Sequence, residues 1–108
     1  MPGHKTLLNE TDLLFQVSQN GLDICGLLID RLGVSFKPYL NTVLGPVIDR
    51  LGDSRETVRE KANAVICKLM AEVVEPQALF EKMQGAFTHK NGKVREEILA
   101  LLQSALNR

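Results

Sequence analysis

The sequence predicts an all-α protein, a superhelix of stacked helical hairpins, and three observations carry that prediction. A short pattern recurs: Asp53 is followed five places on by Val58 and six by Arg59, His89 by Val94 and Arg95, and Asp12 by Val17 and Ser18. The three valines therefore stand 41 and 36 residues apart (17 to 58, 58 to 94), the spacing of a repeated supersecondary unit. Aliphatic residues also fall at helical intervals in five successive segments. Finally, hydrophobic residues make up 44% of the chain but aromatics only 5%, with no tryptophan, which suits helix-on-helix layers of Leu, Val, Ile and Ala better than a sandwich. At 108 residues the chain is one domain or a fragment of one.

Taken in order, residues 1–8 form a loose N-terminus or the remnant of a preceding helix, because Thr6-Leu7-Leu8 is too short to bury a face. Asn9, Glu10, Thr11 and Asp12 are polar groups suited to a helix start. A helix follows from Leu13 to about Leu32, its apolar face assigned to Leu14, Val17, Ile24, Leu27, Leu28 and Leu32. Gly21 and Gly26 each weaken it by roughly 1 kcal/mol relative to Ala, so either a neighbouring helix approaches closely there or the helix breaks near Gly21. Gly33 ends it in the left-handed cap position. Pro38 suits the first turn of a second helix, whose stripe is Leu40, Val43, Leu44, Val47, Ile48 and Leu51, bent at Pro46 where one backbone hydrogen bond is missing.

Asp53 then opens a third helix, with Glu56 three residues on completing a capping box. Val58, Ala62, Val65, Ile66, Leu69 and Met70 form its buried face. Pro76 starts a fourth helix with Leu79, Phe80, Met83 and Phe87 inward; a break at His89-Lys90-Asn91-Gly92 separates it from a fifth, carried by Val94, Ile98, Leu101, Leu102, Ala105 and Leu106. These make about two and a half helical hairpins. Such units cannot bury both faces alone and must stack, and with an apolar helix at each end the pattern reads as part of a longer solenoid with apolar ends.

In each copy of the repeat a polar residue occupies the turn within a hairpin and the valine faces the core one turn into the second helix. Asp12, Asp53, Arg59 and Arg95 are assigned to a structural ladder, in which Arg59 reaches an acidic turn residue of the adjacent unit; each exposed pair contributes only roughly 0 to 1 kcal/mol, setting register more than stability. The residues left to face a partner are Gln16 in the first turn, Ser54 and Arg55 in the second, and Lys90, Asn91 and Lys93 in the third. Stacking lines such turns along one edge, with a modest positive bias; an ordinary solvated face is the competing reading.

Other functions find little support. The 13 basic and 13 acidic residues cancel, and no aromatic residues are interleaved with the basic ones, which argues against a nucleic-acid partner. No stretch approaches the ~20 apolar residues of a membrane span, and the N-terminus has no apolar signal region, so a cytoplasmic protein is expected. Cys25 and Cys67 are far apart within helical patterns and read as reduced core thiols. His4 and His89 assemble no triad or metal site, no phosphate-binding glycine motif is present, and Glu56, Glu60, Glu96 and Glu97 fit a helix surface. The expectation is no enzyme, no cofactor and no metal.

Two strings carry a family resemblance. Residues Thr42 to Glu60 (TVLGPVIDRLGDSRETVRE) and Phe87 to Glu97 (FTHKNGKVREE) closely resemble the first TOG domain of the CLASP family of microtubule-associated proteins, and Phe15-Gln16-Val17-Ser18-Gln19 resembles an earlier turn of the same family. The likeness runs from about Asn9 to Asn107, so residues 9–108 read as a partial TOG domain, about half of one. It implies a HEAT/armadillo-like solenoid that binds tubulin and microtubules through its intra-repeat turns, here Gln16, Ser54, Arg55, Lys90, Asn91 and Lys93. It also implies, through the parent protein, other microtubule-associated partners and a place on the cytoskeleton and mitotic spindle. The chain departs from the pattern in lacking the turn tryptophan typical of TOG domains that bind free tubulin. The alternative is a generic solenoid scaffold that holds a helix or peptide of a protein partner and not tubulin, recognisable by a wide apolar groove.

Overall fold

The computed structural model describes residues 19–107, in which five α-helices and two 3₁₀ segments follow one another: α1 (Gln19–Leu32), a 3₁₀ stretch (Gly33–Tyr39), α2 (Leu40–Arg50), α3 (Glu56–Glu72), α4 (Pro76–Lys82), a second 3₁₀ stretch (Gln84–Thr88) and α5 (Gly92–Leu106). The fold is all-α, as the periodicity predicts, and no strand occurs among the described residues. Asp12, Gln16, Val17 and Ser18, and with them the first copy of the repeat, lie outside those residues.

The helix α3 is central, packing along α1 and against α2 and α4. Its predicted face, Val58, Ala62, Val65, Ile66, Leu69 and Met70, is buried throughout. One continuous aliphatic cluster joins it to Leu40, Val43, Leu44, Val47 and Leu51 of α2 and the turn after it, to Leu79 and Phe80 of α4, and to Val94, Ile98 and Leu101 of α5. Val58 and Val94, the recurring valines, are both completely buried, which explains why β-branched bulk returns at that position of the repeat.

Helix α1 differs from its predicted orientation. Its buried residues are Leu22, Cys25 and Ile29, whereas Ile24, Leu27, Leu28 and Leu32 are between 37% and 62% exposed. The helix is apolar on two faces, and periodicity could not say which one meets α3. It is unbroken through Gly21 and Gly26, and Gly26 lies under the Lys68 side chain, where an added Cβ would stand 3.5 Å from Nζ, an ordinary contact.

The ends of the elements also depart from expectation. Gly33 has φ of 52°, the left-handed cap that only glycine adopts without strain, but the chain then continues as a 3₁₀ stretch holding Pro38, with Phe36 buried, and α2 starts two residues later at Leu40. The expected fourth helix is divided: the Met83 N–H bonds both Leu79 and Phe80 carbonyls, the Ala86 N–H bonds the Met83 carbonyl at 2.8 Å, and the chain tightens into 3₁₀ geometry that buries Ala86. Leu106, predicted inward, is 76% exposed. Both thiols are free; Cys25 is buried but Cys67 only half so, its Sγ 3.6 Å from Asn63 Oδ1.

Candidate functional site: an edge built from two turns

The two described turns share one construction. After α2, three consecutive i to i+3 bonds (Leu51, Gly52 and Asp53 N–H to the carbonyls of Ile48, Asp49 and Arg50) carry the chain past the helix end. Asp53 Oδ1 then accepts the Arg55 N–H at 2.8 Å, reversing the chain as an Asx-turn, and α3 starts at Glu56. Asp53 is therefore not the helix cap, and no capping box forms with Glu56; Arg55 occupies the cap position with no side-chain cap bond. In the second turn His89 Nδ1 accepts the Asn91 N–H at 3.0 Å in the same i+2 relation, and Asn91 Oδ1 caps α5 by accepting the Lys93 N–H at 2.9 Å. A ring nitrogen thus does in one copy what a carboxylate does in the other, so both residue types fit one position of the repeat.

The arginine six places on closes each turn. Arg59 Nη1 donates to the Asp53 carbonyl at 2.7 Å, and Arg95 Nη1 donates to the His89 carbonyl. This corrects the ladder expected from sequence: among the described residues Arg59 and Arg95 bond within their own unit and form no ion pair to the next. Among the described residues, two lysine–aspartate pairs do cross between units, from α3 to α1: Lys61 with Asp23 at 2.6 Å and Lys68 with Asp30 at 2.5 Å, each spanning 38 residues.

Contacts one repeat apart bring the turns together. Asn91 Nδ2 donates to the Gly52 carbonyl at 3.2 Å, and His89 Nε2 stands 3.0 Å from Asp49 Oδ1. Gly52 is required by this approach, since a Cβ there would lie 2.4 Å from Asn91 Nδ2 and 2.8 Å from Val94 Cγ2. Ser54, Arg55, Lys90, Asn91 and Lys93 are all exposed and belong to these adjoining turns; Gln16 is outside the described residues.

Their charges are not equivalent. The Arg55 guanidinium is held by its own turn, Nε to Asp53 Oδ1 at 3.0 Å and Nη2 to Oδ2 at 3.2 Å, and these bonds, with the Arg55 N–H and the charge of Arg50, keep the Asp53 carboxyl below its usual range. Lys93 stands in the first turn of α5, where the helix dipole disfavours a cation, and has Glu96 and Glu97 each at 3.8 Å to offset it. Lys90 forms no ion pair among the described residues and projects from between two anchored neighbours.

Beside this edge a groove of about 370 Å³ opens between the first turns of α3 and α5, lined by Glu56, Arg59, Glu60, Asn63, Lys93 and Glu97. Glu60, Asn63 and Glu97 are not among the site residues expected from sequence; the signal that finds them is helical spacing, since they follow Glu56, Arg59 and Lys93 by four places each. Among the described residues no group of three or more His, Cys, Asp or Glu is placed to hold a metal ion, and no helix is long and apolar enough to cross a membrane.

A family model described as CLASP N terminal matches residues 7–108. The CLIP-associating protein of Drosophila melanogaster is 50% identical over 95 residues, and the CLIP-associating protein 1-A of Xenopus laevis 38% identical over 93, each match covering 86% of this chain but only 6% of the relative. The TOG array regulator of axonemal microtubules protein 1 of Mus musculus is 30% identical over 88 residues. Among solved structures, the MAST/Orbit N-terminal domain superposes with a TM-score of 0.81 at 50% identity, covering 86% of this chain and 42% of that one.

Proposed function

Because the chain belongs to the CLASP N-terminal family, we propose that it is a tubulin-binding and microtubule-binding TOG-type HEAT module of a CLASP-like regulator of microtubule dynamics, acting in the cytoplasm and on the mitotic spindle. The observation that supports this reading is the adjacency of the two turns that carry Arg55 and Lys90, tied by Asn91 Nδ2 to the Gly52 carbonyl. On a chain with no net charge, exposed Lys90 together with Arg55, which is paired to Asp53 in its own turn, offers a local patch for an acidic protein surface. The relatives' names point the same way: one of them is an axonemal microtubule regulator.

The test is a double charge reversal, Arg55→Glu with Lys90→Glu, in the complete protein, followed by cosedimentation with microtubules at ~0.1 M salt, where charges within a Debye length still act. Weakened binding is expected, and unchanged affinity rejects these turns as the contact surface. A second reading, a solenoid scaffold that holds a helix or peptide of a protein partner, has in its favour the exposed apolar stripe Ile24, Leu27 and Leu28 on α1. It predicts that Leu27→Glu abolishes partner binding while the double charge reversal leaves it intact.

A further inference from the structure

Hydrogen-bond chemistry in the second turn assigns every polar atom of two side chains. His89 Nδ1 accepts the Asn91 N–H, so Nδ1 carries the lone pair and the ring proton sits on Nε2, where it donates to Asp49 Oδ1 at 3.0 Å. Asn91 Oδ1 accepts the Lys93 N–H, so the carboxamide nitrogen must be the end that faces the Gly52 carbonyl, and it donates there. Each side chain therefore has one end in its own turn and the other on the preceding repeat. Together they make a clamp of four bonds, two within the second turn and two across a sequence separation of 39 to 40 residues. Lys90 is the single residue between the two clamped ones.

We propose that Asp49, Gly52, His89 and Asn91 are positioning residues for recognition: the clamp makes the two turns one rigid edge, so that Lys90 and Arg55 meet an acidic protein surface together. Asn91, exposed though it is, acts as a strut and not as a contact. This rests on the functional reading above and deepens it. The physical reason is preorganisation. Exposed charges each contribute little on flexible loops, and holding their backbone in register removes ordering that binding would otherwise have to supply. Asp49 suits such a role because its side chain is 62% exposed and supports no part of the core, while the imidazole that it orients is only 23% exposed.

The experiment measures microtubule affinity of the complete protein at ~0.1 M salt for Asp49→Ala, Asn91→Ser and Asp49→Asn, with the double charge reversal alongside and melting temperature and amide exchange recorded for each. Asn91→Ser keeps a cap acceptor for the Lys93 N–H but cannot reach Gly52; Asp49→Asn keeps an oxygen for the His89 Nε2–H. The expected result is that Asp49→Ala and Asn91→Ser each weaken binding about tenfold, from lost preorganisation. Exchange at the Asn91 amide should quicken and the melting temperature should change little, while Asp49→Asn should restore both affinity and protection. Full affinity in Asp49→Ala and Asn91→Ser beside a weakened charge reversal overturns the clamp alone. So does an Asp49→Asn as weak as Asp49→Ala, since then the charge of Asp49 and not its hydrogen bond matters. A charge reversal that binds normally overturns the functional reading, and the clamp's role with it.

Discussion

Gly52→Ala isolates the approach of one repeat to the next. The new Cβ would meet Asn91 Nδ2 at 2.4 Å, Asn91 Cγ at 2.8 Å and Val94 Cγ2 at 2.8 Å, distances that real Cβ atoms do not tolerate. Val94 is completely buried and cannot swing away, so part of the strain falls on the core, at a cost of about 1–3 kcal/mol for such overpacking. Asn91 can move, but only by giving up the α5 cap, which costs about 1 kcal/mol. Against this, Gly52 has no positive φ, so alanine gains roughly 0.4–1 kcal/mol from a less disordered unfolded chain. The net expectation is a loss of about 2 kcal/mol, which at ~4–8 °C per kcal/mol for a domain of this size is a melting temperature lower by about 10 °C. Urea unfolding followed by circular dichroism reads it directly. Gly85→Ala is the internal control, because it sits exposed in the second 3₁₀ stretch, has no positive φ and has nothing beyond its chain neighbours within 4 Å of its Cβ, and it is expected to stabilise by roughly 0.4–1 kcal/mol. A Gly52→Ala protein as stable as its Gly85→Ala counterpart would refute the close packing of the two turns.

Two further outcomes follow from the titratable groups. Asp53 has its folded pKa depressed, chiefly by the Arg55 side chain and then by the Arg55 N–H, so the stability it contributes is present above its unfolded value, ~3.9, and is lost as pH falls through the folded one. Asp53→Asn should therefore be less stable than wild type at pH 7, by roughly 1 kcal/mol or less for so exposed a pair, and the gap should close as urea titrations are taken below pH 4; a gap that widens in acid contradicts the assignment. Cys25 is fully buried, and burial pushes its thiol up to about 11, so at pH 8 a thiol reagent should modify half-buried Cys67 first and Cys25 only on unfolding. Equal labelling rates in the native protein would mean that α1 does not pack on α3 as described.

Helix identity was determined by the sequence alone, because it depends on a period of 3.6 residues that Val58, Ala62, Val65, Ile66, Leu69 and Met70 display without competition. The recurrence of valine five residues after a polar turn residue likewise announced a repeated unit, and both copies within the described residues have the same turn. Where a helix is apolar on two faces the same rule is silent: Ile24, Leu27 and Leu28 are as periodic as Leu22, Cys25 and Ile29, and only the position of α3 made the second set the buried one. The turn arginines show the same limit at closer range. Arg59 six residues after Asp53 can serve an ion pair in the next unit or a carbonyl in its own, and the choice belongs to the loop geometry, which set the Asp53 carbonyl 2.7 Å away. What joins the candidate site, Asp49 to His89 and Gly52 to Asn91, spans 39 to 40 residues of chain, so it depends on how one hairpin is set against the next. No local pattern encodes that, and it was decided by the packing of Val94 and its neighbours around a glycine that leaves them room.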